Sequence, residues 1–155
     1  MEKGLTCSTY EDHIRSEIKK LIPKAKSIKP KVANGWIPLD PNNIDQIRLS
    51  IDNDEPVIVA FYVSNSFLNM WEFGDSRYPG KNVWTSMNGP YIDAHCVCII
   101  GYDNVNKMFK VRNSWGDKNS ASKNPNEAGF FWVTYDLVQR GCFKEAYCFL
   151  PEVTK

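Results

Sequence analysis

The spacing of apolar positions changes several times along this 155-residue chain, and each change marks an element. Residues 8–22, "STYEDHIRSEIKKLI", repeat Ile14, Ile18, Leu21 and Ile22 at helical spacing, with Ser8 and Glu11 placed as a capping box. An amphipathic helix that stops near Pro23 is predicted. Residues 23–38 are lysine-rich and broken by three prolines and a glycine, so they read as an extended connector with a short edge strand at "GWIPL". Asp40 as N-cap and Pro41 in the first helical position then start a second helix, which turns Ile44, Ile47 and Ile51 inward.

From Val57 to Val63 the chain is continuously apolar and β-branched, as a buried strand requires. One helical turn is expected at "SNSFLNMW", and residues 74–90, rich in Gly, Pro, Asn and Ser, read as a long surface loop. "HCVCIIGY" and "KMFKVRN" flank the turn "DNVN" as the two arms of a hairpin. After a polar insertion, "FFWVTY" is a strand, "DLVQRGC" a short helix and "AYCFL" a last strand. Strands that pair out of sequence order, with helices at one end, make an α+β domain; a partly closed antiparallel β-barrel with short flanking helices is the expected form. The chain divides into an N-terminal helix and connector, residues 1–34, and a barrel domain, residues 35–155.

A net charge of +1 removes any broad attraction for nucleic acid or anionic membrane. Eight Lys or Arg stand against four Asp or Glu in residues 1–31, which describes a solvated basic helix face and not a nucleic-acid site. No run approaches the length of a membrane span, and no secretion signal is visible. Five cysteines, Cys7, Cys96, Cys98, Cys142 and Cys148, show no paired ligand spacing, so neither a metal nor another cofactor is expected. An odd count favours reduced thiols and a cytoplasmic setting. Cys96 and Cys98 flank Val97 and are read as small core residues on one face.

Chemistry concentrates in the hairpin. Of the two histidines, His13 falls in a charged helix face, whereas His95 stands where the apolar strand meets a Gly/Pro-rich loop. Asn113 ends the returning arm eighteen residues later, the separation that brings the open ends of a hairpin together. An amide oxygen there can hold an imidazole in one tautomer, as the third group of a nucleophile, base and orienter arrangement does. Trp115, two residues on, can keep water from that bond.

"DAHCVCIIGYDNVNKMFKVRNSWG" resembles the histidine and asparagine blocks of the papain-like cysteine peptidases, a strand reading roughly "HAV..VGYD" paired with one ending in "NSWG". "EPVIVAFYVSNSFLNMWEFG" and "GFFWVTYDLV" resemble that family's neighbouring segments, so the resemblance covers most of residues 35–150. It implies the C-terminal, barrel-type lobe of such a peptidase, with His95 as base, Asn113 as orienter and Trp115 as their cover. By aligned position alone it also implies that Ala60 and Cys96 flank a substrate pocket.

The family's nucleophile block, "Q..CGSCW", has no counterpart in these residues, and the oxyanion-hole glutamine goes with it. Cys7 is the remaining candidate nucleophile, but "GLTCSTYEDH" resembles an inter-lobe segment in which the cysteine is not catalytic. Two readings follow. In one, the chain supplies base and orienter for peptide-bond hydrolysis, is inactive alone, and meets a peptide or protein substrate together with a separate N-terminal lobe. In the other, it is a non-catalytic binding module whose exposed half-cleft, lined by Trp71, Trp84 and Trp115, holds a partner or a second copy in a homodimer.

Overall fold

The computed structural model describes residues 35–116, 120–122 and 124–150. The helix expected over residues 8–22, its capping box, His13, Cys7 and the connector up to residue 34 lie outside the described residues.

In chain order the elements are β1 (Gly35–Leu39), α1 (Ile44–Asp52), β2 (Val57–Ser64), α2 (Asn65–Phe73), β3 (Val83–Trp84), β4 (Tyr91–Asp103), β5 (Met108–Arg112), β6 (Phe130–Thr134), α3 (Tyr135–Gln139) and β7 (Phe143–Leu150). The strands form one seven-stranded sheet in the order β1-β7-β2-β4-β5-β6-β3, antiparallel throughout except where β3 runs parallel to β6. The α+β class is as expected. The sheet, however, is open and not a partly closed barrel: β1 and β3 lie at opposite edges. Closure needs hydrogen bonding between the first and last strands, and β3 offers only two residues for it.

Alternation along β2 explains how the sheet is covered. Val57, Val59, Phe61 and Val63 point to one face and are buried with Val97, Ile99 and Val111 of the neighbouring strands. The three helices of the described residues pack there, through Ile47 of α1, Phe67 and Trp71 of α2, and Leu137 and Val138 of α3. Phe61 sits at the centre, in aromatic contact with Phe67, Trp84, Phe131 and Phe143. Burying one such ring contributes roughly 1.5–3 kcal/mol.

Three local expectations change. The N-cap of α1 is Asn43 and not Asp40: the Asn43 side chain accepts from the backbone N–H of Asp45 and Gln46, while Asp40 accepts from Asn42 and closes the preceding turn. Helix α2 runs for nine residues, well beyond one turn, because Phe67, Met70 and Trp71 give it a face to bury. Within the loop over residues 74–90, Val83 and Trp84 turn into the core as β3, and Asn82 accepts from the Trp132 backbone N–H. Among the described residues no helix is long and apolar enough to cross a membrane.

Candidate active site

The β4–β5 hairpin turns at residues 104–107, where Asp103 Oδ1 accepts from the backbone N–H groups of Val105 and Asn106. Cys98 stands opposite Arg112 across this ladder, so Asn113 emerges from β5 beside the stretch of β4 that carries His95. The Asn113 backbone N–H donates to Gly129 O, which anchors it to the far side of the insertion.

Asn113 is 6% exposed, and its Oδ1 lies 2.8 Å from His95 Nε2. The same oxygen accepts from the Ser114 backbone N–H at 2.8 Å. A backbone N–H can only donate, so the atom facing it must be the amide oxygen, and the orientation of the amide is settled. His95 Nε2 must then carry a proton, and in the neutral ring Nδ1 has a lone pair free to accept one. Asn113 Nδ2 is buried without a partner.

Aromatic rings hold the imidazole from two sides. Trp115 stacks on it with centroids 4.7 Å apart and planes at 27°, and Phe61 meets it edge-on at 5.7 Å. Trp115 is itself met edge-on by Phe67 and Trp71. Part of the indole stays open, at 39% exposure, whereas Trp71 and Trp84 are buried. The expected half-cleft of three tryptophans is therefore reduced to Trp115, because Trp71 and Trp84 are spent on the core.

The cysteines fall away from the ring. His95 and Val97 share a face of β4, so Cys96 and Cys98 project from the other one; Cys96 is exposed and Cys98 half-buried. This corrects their reading as core residues: Val97 and Ile99 fill that role. Cys142 and Cys148 are buried in the core, and burial pushes the Cys142 thiol up to about 12. Cys148 stands opposite Val57, on the face that His95 shares with Phe61, but it is buried in the core. Among the described residues no exposed thiol is on that face, and no group of three or more His, Cys, Asp or Glu is placed to hold a metal ion.

Ala60 and Cys96 stand directly opposite each other on the outer face of the β2–β4 ladder. One rung further, Ile58, Cys98 and Arg112 line a groove of about 280 Å³ that Cys96, Asn113 and Ser114 complete. Sequence reasoning missed this groove, since nothing in "HCVCII" says which parity faces outward. It also missed Phe61, the buried ring against the imidazole, although Phe61 is the β2 partner of His95.

Comparison with known proteins bears on the family and the fold. The Peptidase_C39 like family model matches residues 3–141. An uncharacterized peptidase C1-like protein of Acanthamoeba polyphaga mimivirus is 27% identical over 116 residues, covering 73% of this chain and 33% of that protein. Among solved structures, xylellain, a cysteine protease from Xylella fastidiosa, superposes with a TM-score of 0.56 at 19% identity, over 76% of this chain and 40% of the other. The bromelain protease from Ananas comosus gives 0.54 at 20% identity, over 77% and 51%. The fold is thus that of papain-like cysteine proteases, and the chain spans between a third and about half the length of these relatives.

Proposed function

The chain belongs to the Peptidase_C39 like family, and from that premise we propose that it is the base-bearing, C-terminal lobe of a papain-like cysteine peptidase. His95 is the general base, Asn113 its orienter and Trp115 their cover. The thiol comes from a separate N-terminal lobe, on another chain or a further segment.

One observation carries this reading: Asn113 Oδ1, which also accepts from the Ser114 backbone N–H, lies 2.8 Å from His95 Nε2, so a neutral ring held there has its proton on Nε2 and a free lone pair on Nδ1. In the complete site Nδ1 takes the thiol proton, and the thiolate attacks the peptide carbonyl carbon. The imidazolium then gives that proton to the departing amine, leaving an acyl-enzyme. Water, deprotonated by the same nitrogen, releases the acid and restores the thiol. Stacked on the ring, Trp115 keeps water from competing with Asn113 and limits how far the imidazole swings.

A non-catalytic binding module is the second reading, favoured by the exposed side chains of Tyr62, near the end of β2, and of Tyr91 and Ile92 at the start of β4. Co-production with a papain-like lobe that carries the "Q..CGSCW" block separates the two. Hydrolysis of a fluorogenic peptide by the pair, by neither part alone, and lost in His95→Ala, is the expected result. A stable, folded pair without hydrolysis, or hydrolysis that survives His95→Ala, overturns the enzymatic reading.

A further inference from the structure

Three strands contribute one row of side chains to the outer face of the sheet: Ile58 of β2 stands opposite Cys98 of β4, and Cys98 opposite Arg112 of β5. This row is the floor of the 280 Å³ groove. Its walls have two characters. Ile58 and the thiols of Cys96 and Cys98 are apolar or weakly polar, and burial holds the Cys98 thiol above its ordinary range, so it stays neutral. Arg112 is the one charged residue lining it. Its guanidinium leans over the Phe130 ring, 5.4 Å from the centroid, and no carboxylate of the described residues is within ion-pair distance of it.

An apolar trough bordered by Arg112, whose guanidinium has no carboxylate partner among the described residues, matches a side chain with an aliphatic stem and a terminal carboxylate. Position selects what carries it. Cys98 lies three residues along β4 from His95, roughly 10 Å at strand rise, and Asn113 belongs both to the groove and to the histidine pair. His95 and Cys98 project from opposite faces of β4, so an extended peptide whose reacting carbonyl sits at His95 would reach the groove by passing over Asn113 and Ser114, which line it beside the histidine.

We propose that this groove binds a glutamate side chain of the peptide, with Arg112 as its specificity-determining residue, so that the substrates are acidic near the cleavage point. The peptide's role as substrate rests on the function proposed above; the binding does not. Occupancy adds one charge-assisted hydrogen-bonded pair, bidentate where geometry allows. Discrimination of glutamate over glutamine of about tenfold follows for a partly exposed pair of this kind.

Cys96 lines the groove and is exposed, so its alkylation reports occupancy without any catalysis. The probes are blocked alanine peptides carrying a single Glu, Gln or Lys, added to the full chain before iodoacetamide, with Cys96 modification followed by mass spectrometry. The Glu peptide should slow modification at about one-tenth the concentration that the Gln peptide needs, and the Lys peptide should not protect. Arg112→Gln should erase the difference, and Arg112→Glu should transfer protection to the Lys peptide. Equal protection by all three peptides, a Glu preference that survives Arg112→Gln, or no protection by any peptide at millimolar concentration overturns the proposal. Protection without hydrolysis in the reconstituted pair would instead count against the peptidase reading alone.

Discussion

His95 Nε2 and Asn113 Oδ1 meet at 2.8 Å across a hairpin that separates them by eighteen residues, and the oxygen between them also accepts from Ser114. Replacing the amide removes an acceptor for two donors at a buried position. Asn113→Ala should lower stability by about 1–3 kcal/mol in urea unfolding, with the anchor to Gly129 O retained because it uses backbone. In a reconstituted peptidase the same variant should lower kcat by more than it raises KM, since the amide oxygen bonds His95.

Trp115 contributes through three rings, stacking on His95 and meeting Phe67 and Trp71 at their edges. Each aromatic pair is worth about 0.5–1.5 kcal/mol beyond its buried area. Trp115→Ala should therefore cost about 1.5–4.5 kcal/mol and expose one face of the imidazole. Thermal unfolding measures the first effect, and faster reaction of His95 with diethyl pyrocarbonate measures the second. Trp115→Phe should restore most of both.

Burial raises the Cys142 thiol from its ordinary 9.0 to about 12, and the Tyr135 hydroxyl from 10.0 to about 12. For an acid whose folded pKa is raised, the unfolded chain loses its proton first, so stability is full below the unfolded pKa and falls as pH rises above it. Unfolding free energy should be flat near neutrality and decline from pH 9 towards 12. Cys142→Ala should remove the part of that decline that begins near 9 and leave the Tyr135 part. Denaturant titrations at stepped pH test this. In the same pH range Cys96 should react with a thiol reagent before Cys98, and well before Cys142 or Cys148.

Glu127 ties the polar insertion to the sheet. One carboxylate oxygen accepts from Trp132 Nε1 at 2.7 Å and the other from Lys110 Nζ at 3.1 Å, with both charged side chains mostly covered. Glu127→Ala leaves the indole N–H without its acceptor and the Lys110 ammonium with only the Asn126 carbonyl, and should cost about 2–3 kcal/mol. Glu127→Gln should keep the indole bond and cost about 1 kcal/mol. Thermal melts of the two variants compare them directly.

The hairpin and the nearness of its two ends were legible because "DNVN" is a strong turn signal and both arms carry β-branched and aromatic residues. The outward parity of Cys96 and Cys98 was not. In "HCVCII" both alternating sets are apolar, so a one-residue choice of face has no pattern to decide it. It is settled instead by Val57, Val59 and Phe61 across the ladder. The helix start was misplaced because "DPNN" offers three side chains able to cap, and only the ladder of backbone donors distinguishes Asn43 from Asp40. Two-residue β3 is too short for any periodicity, and its parallel pairing with β6 joins segments that sequence spacing does not connect. Glu127, inside a run of polar residues, gave no sign of burial; only Trp132, whose indole needs an acceptor, hints at it.

Proton–nitrogen NMR of the His95 ring, recorded where the imidazole is neutral, tests the account most directly. The Nε2–H tautomer, with an unprotonated Nδ1 and a shift towards mixed tautomers in Asn113→Ala, is the predicted result. A dominant Nδ1–H tautomer, or a tautomer ratio that Asn113→Ala leaves unchanged, contradicts His95 as a base held by Asn113.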